Sequence, residues 1–272
     1  MHSERIKAKT MKKAMMYLLL ALGITLFVMF VGGAIGGFFI GFVDGYNGDK
    51  VGVSSSISYL AGLGSGLALI LCLILNFVFL KNKFASYTIG RIPKPIRWKV
   101  FLGMIIAMGG MAVLFAAMND VAIERGWRDD FLIESYAWMQ HHPVFSIFVI
   151  AIVEATADLI IYGAVIREIL EWKHRPQVVI LVYGLIMALI NMLDGNFMLM
   201  IVSMMMAQLQ ALVYEYTRSV IPIIIGDVAF WVVTLCLIGI PSSGWWLLIG
   251  IILVLPGLYL AVNPMEPYKP ID

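Results

Sequence analysis

Eight apolar runs set the terms for this chain, at roughly residues 14–43, 56–80, 99–118, 144–166, 178–194, 197–213, 220–239 and 245–262. Crossing a hydrocarbon core takes about 20 apolar residues of helix. Soluble core helices are shorter, and a membrane β-barrel would show short alternating segments instead. Hydrophobic residues make up 61% of the 272 and charged residues only 13%, so little polar surface remains for a water-exposed shell. The expected class is all-α: a single polytopic membrane helix bundle of about eight spans covering 1–272. The first run is too long for a secretory signal and lacks a small-residue cleavage site.

Charge placement orients the spans. Of the 19 Lys and Arg residues, 16 fall in the N-terminal segment, the 81–99 and 167–177 loops, Arg218 and Lys269. Only Lys50, Arg125 and Arg128 fall on the other side. Basic residues mark cytoplasmic loops, which puts both termini in the cytoplasm. The 81–99 loop, basic and broken by proline, is expected along the headgroups with Trp98 at the interface. The acidic-aromatic 119–143 stretch is expected outside, as a short amphipathic helix anchored by Trp127, Tyr136 and Trp138.

Four-residue spacing of Gly33, Gly37 and Gly41, and of Gly62 and Gly66, lets helix backbones approach closely. It serves either packing within the bundle or a homodimer seam through Gly33, Gly37 and Gly41. Cys72 and Cys236 lie in apolar runs and read as small buried hydrophobes, with neither a disulfide nor a cysteine metal site expected. All four histidines lie outside the spans, so no imidazole metal site and no cofactor is expected. The expected partners are membrane lipids and a membrane protein or peptide; no nucleic acid is expected.

Polar residues inside the spans are few. The fourth span carries Glu154, Thr156, Asp158 and Tyr162, and the fifth carries Asn191 with Asp194 at its end. The sixth carries Gln208 and Gln210, and the seventh Asp227. An acid in mid-membrane costs roughly 2.5–3.5 kcal/mol on insertion scales, so these residues should face the bundle interior. Glu154, Asp158 and Tyr162 share one helix face by their spacing. Helix rise puts Glu154 and Asn191 about 20 Å deep, and Asp158 and Asp227 about 10–14 Å deep. Glu154, Asp158, Tyr162, Asn191 and Asp227 are therefore the candidate ligand-binding set, with Asp158 expected to face Asp227. A hydrogen-bond network that fixes helix packing is the alternative reading of the same residues.

The order and spacing of the later spans resemble the CPBP family of CAAX and bacteriocin-processing intramembrane proteases, also called Abi. That family shows E-E-x-x-x-R with a following glycine, then F-x-x-x-H, then H-x-x-x-N. The first motif falls on "ADLIIYG", the second on "MALIN" and the third on "TRSVIPIIIGDVAFW". Ala157 and Asp158 stand at the paired glutamates, Tyr162 at the arginine, and Gly163 is kept. Asn191 and Asp227 stand at the two histidines, Met187 at the phenylalanine and Trp231 at the asparagine. The resemblance covers roughly 99–235, flanked by N-terminal helices and a basic loop (1–98) and by a last helix and tail (236–272). It implies a bacterial cytoplasmic membrane protein with a CAAX-protease-like core. The family's histidine–glutamate centre cannot be assembled from Asp158, Asn191 and Asp227. A pseudoenzyme with a binding or regulatory role is the leading expectation. The alternatives are a diverged hydrolase using carboxylates, without a resident metal or holding a divalent cation, and a proton or cation transporter.

Overall fold

The computed structural model describes residues 92–126, 176–192, 197–237, 240 and 244–265. It also describes Lys12, Met16, Gln140, Pro143, Val144, residues 146–148, Ala151 and Asp158. Apart from Met16, the apolar runs at 14–43 and 56–80, with their glycine stripes, lie outside the described residues, as do Trp127, Tyr136 and Trp138. Among the described residues the chain is all-helical, without strands. After a 3-10 turn, Lys94–Ile96, come α1 (Arg97–Glu124), α2 (Pro176–Met192), α3 (Phe197–Thr217), α4 (Ile221–Leu237) and α5 (Gly244–Val262). Two of these, Lys94–Glu124 with its leading turn and Gly244–Val262, are long and apolar enough to cross a membrane.

Local chemistry sets the helix ends. Pro176 opens α2 at the position where its missing N–H costs nothing, and Pro222 sits in the first turn of α4. α1 runs six residues past the expected 118, because nothing from Asn119 to Glu124 breaks a helix. It ends at Gly126, whose φ of 75° lets its N–H return to the Ile123 carbonyl at 3.0 Å. Residues 119–124 are thus helix rather than the start of an outer loop. α3 likewise continues past 213 to Thr217 and stops where Arg218 turns left-handed at φ 49°.

α1 and α5 pack antiparallel along a glycine seam. A Cβ on Gly103 would stand 2.5 Å from the Ala261 nitrogen, and one on Gly110 would stand 2.8 Å from the Val254 nitrogen. A Cβ on Gly257 would strike the Ala107 backbone, and one on Gly250 would meet Leu114 at 2.5 Å. In this register paired positions add to about 364: 103 with 261, 107 with 257, 110 with 254, 114 with 250. Each glycine inside a helix costs about 1 kcal/mol against alanine, and here it permits backbone-to-backbone contact.

α4 lies along α1 in the same direction. Gly226 packs on Met104 and Met108, and Phe230 meets Phe115 with ring centroids 5.9 Å apart. The core between them gathers Met104, Met108, Met111, Phe115, Val202, Val213 and Phe230. α2 runs against α3, with Gly184 pressed on the Gln208 side chain. Val179, Tyr214, Val220 and Ile223 form a second core at the other side of α3.

These directions place the start of α1, the start of α2, the α3–α4 corner and the end of α5 at one end. Lys94, Arg97, Lys99 and Arg218 are at that end, while Asp120, Glu124 and Arg125 are at the other. On the α1–α5 register Trp245 falls level with residue 119 of α1. Trp98 is then about 31 Å below it by helix rise. Trp98 and Trp245 are 59% and 71% exposed, and the large exposed side chains on α1 and α5 between them are apolar, Lys99 beside Trp98 and Tyr259 apart.

Cys236 is exposed in the last turn of α4, not buried as expected. An apolar helix carries apolar residues on every face, so lying in an apolar run does not bury a residue.

Candidate functional site

Asp158 and Asp227 are both buried, at 4% and 3% exposure. Asp158 is helical; its neighbours Glu154 and Tyr162 lie outside the described residues. Asn191 is in the last turn of α2, and its side chain lies outside the described residues too. Pairing Gly184 with Gln208 puts Asn191 level with residue 201 of α3. That is about 13 Å along the bundle from Gln210 by helix rise. Asn191 and Asp227 therefore occupy different levels, as depth counting from the sequence expects.

Asp227 is held by α3. The Gln210 amide Nε2 donates to Asp227 Oδ1 at 2.5 Å, and both residues are buried. Helix rise accounts for the meeting. Gln210 is seven residues before the end of α3 and Asp227 six after the start of α4, so each stands about 10 Å from the corner. Gly226 beside Asp227 admits Met104 and Met108 of α1, which closes that side with apolar packing. A primary amide neither takes nor releases a proton near neutral pH, so Gln210 orients the carboxyl rather than relaying a proton.

The corner carries a second polar group that the sequence reading passed over. Glu215 is buried, and its Oε2 accepts from Arg218 Nη2 at 2.6 Å. The Arg218 guanidinium also lies 5.9 Å from the Tyr214 ring centroid, over a side chain that is itself fully buried. Thr217 Oγ1 donates to the Val213 carbonyl at 2.8 Å and accepts from the Ser219 N–H at 3.3 Å. These bonds supply partners that a helix end otherwise lacks. Thr217 and Ser219, which open the third stretch of the resemblance, "TRSVIPIIIGDVAFW", are thus corner-forming in this fold. In the sequence the sixth apolar run ends at Val213 because Glu215 and Arg218 interrupt it; their three-residue spacing was the available signal.

Gln140 makes a link at the opposite end. Its Nε2 donates to the Leu235 carbonyl at 3.3 Å, satisfying an acceptor in the last turn of α4. Among the described residues no group of three His, Cys, Asp or Glu side chains gathers as a metal site. Comparison with family models, curated proteins and solved structures finds no match.

Proposed function

We propose that this chain is an integral membrane protein of CPBP-like helix layout whose polar interior binds a peptide, lipid-linked group or membrane partner without cleaving it. The basic end faces the cytoplasm of a bacterial cell, and Asp158 and Asp227 line one cavity. The observation that carries the reading is the burial of both acids within apolar helices, at the positions where the resemblance puts catalytic side chains. The separation of Trp98 from Trp245, about 31 Å by helix rise, supports the membrane placement because a hydrocarbon core is about as thick. Asp227 engaged by Gln210 supports binding over proteolysis, since the pair offers an oriented acceptor and no general base of the histidine kind.

Purified protein in proteoliposomes should turn over no membrane-spanning or prenylated peptide. A photo-crosslinker replacing Ile224, one turn from Asp227, should capture bound peptide. Cleavage that disappears in Asp158→Asn would overturn the reading. Burial of two acids also favours hydrolysis by carboxylates as the second reading. Stoichiometric divalent cation, lost in Asp158→Ala and Asp227→Ala, would move the assignment there.

A further inference from the structure

We infer that the basic and aromatic rim at the start of α1 is a binding surface for an anionic phospholipid. The inference rests on the membrane placement proposed above. Trp98 is 59% exposed, and Leu102 and Ile105 follow it at 41% and 43%. Steps of four and seven residues set the three on one helix face, so an indole heads an open apolar stripe. Lys94 and Lys99 flank that indole, both exposed, with Lys99 Nζ 5.7 Å from the Trp98 ring centroid. Arg97 fixes the rim in place, its Nε donating to the carbonyl of buried Ile92 at 3.0 Å.

A lipid with a net negative headgroup matches each part. Its phosphate accepts from the two ammonium groups, its glycerol region meets the indole, and an acyl chain follows Leu102 and Ile105. A zwitterionic lipid brings its own ammonium beside the phosphate, which the lysines oppose. The acids of α1, Asp120 and Glu124, stand at its far end, about 31 Å or more from Lys99 by helix rise. The rim near Trp245 supplies a built-in contrast: among the described residues at that end, Arg125 is offset by Glu124 and Asp120.

Fluorescence quenching tests this directly. Full-length protein is placed in bilayers containing either dibrominated phosphatidylglycerol or dibrominated phosphatidylcholine, with the remaining lipid unlabelled. The Trp98 contribution is obtained by difference against Trp98→Phe, and the Trp245 contribution against Trp245→Phe. Quenching of Trp98 should be about threefold or more stronger from the glycerol lipid, given the attraction of each basic residue for an anionic surface. Trp245 should show equal quenching by the two lipids. In Lys94→Gln/Lys99→Gln, whose changes are at exposed positions, the Trp98 preference should vanish. Equal quenching of Trp98 by both lipids in the unaltered rim overturns the inference and leaves the membrane placement standing. Absence of quenching of both tryptophans by either lipid removes the membrane placement, and the inference with it.

Discussion

The α1–α5 seam and the α3–α4 corner hold helices together by opposite means. The seam is backbone on backbone: Gly103, Gly110, Gly250 and Gly257 bring the helices so close that a single methyl group has no room. The corner is made of side-chain polar bonds, Gln210 to Asp227 and Arg218 to Glu215, in buried surroundings. Close packing gains many small dispersion contacts and tolerates no added volume. Polar pairs tolerate volume but punish the loss of one partner. The two regions therefore divide the tasks: the seam sets how near α1 and α5 lie, and the corner sets how α3 and α4 are rotated.

Adding volume to the seam should have the largest effect. Gly103→Leu should destabilise by about 3 kcal/mol or more, because the obstacle is the Ala261 backbone rather than a movable side chain. Thermal unfolding in detergent, with size-exclusion profiles, reads the loss. At the corner, Glu215→Ala should cost about 3–5 kcal/mol by leaving the Arg218 guanidinium without its carboxylate. Glu215→Met with Arg218→Met should recover much of that loss, which separates the worth of the pair from the cost of breaking it. Asp227→Leu should cost about 1–3 kcal/mol through the Gln210 amide it abandons. A cycle completed with Gln210→Leu should give a coupling of about 0.6–2 kcal/mol. The smallest effect, and one of opposite sign, belongs to Gly109→Ala. The position meets only Val233 Cγ2 at 3.8 Å, so alanine should stabilise by up to about 1 kcal/mol. Equal damage from Gly103→Ala and Gly109→Ala would break the distinction between a seam glycine and a bystander.

Apolar run length was enough to locate α2, α4 and α5 to within a few residues. Rotation across helices was not legible. Depth alone offered Asp227 a partner in Asp158, and only packed coordinates make the Gln210 bond explicit. Glu215 was missed for a physical reason: charge was read as the end of a span, whereas a carboxylate paired with the residue just past its helix can stay buried. The α1–α5 seam was passed over, although Gly103 with Ala107 and Gly257 with Ala261 are each four apart. Such spacing names a face without naming its partner, and about 120 residues separate the end of α1 from the start of α5. The eight-span layout and the family resemblance rest on the sequence pattern, to which the described helices add direction and a common basic end.

The antiparallel seam also has a consequence for biosynthesis. α1 leaves the ribosome with its glycine face bare, and the helix that covers it ends at Val262, about 140 residues later, or roughly 7–28 s at ordinary rates of synthesis. For that interval α1 is a nascent segment with its docking face open to any neighbour. Closure of the seam then waits on α5, and a ribosome stalled after α4 would leave a product that lacks its clasp.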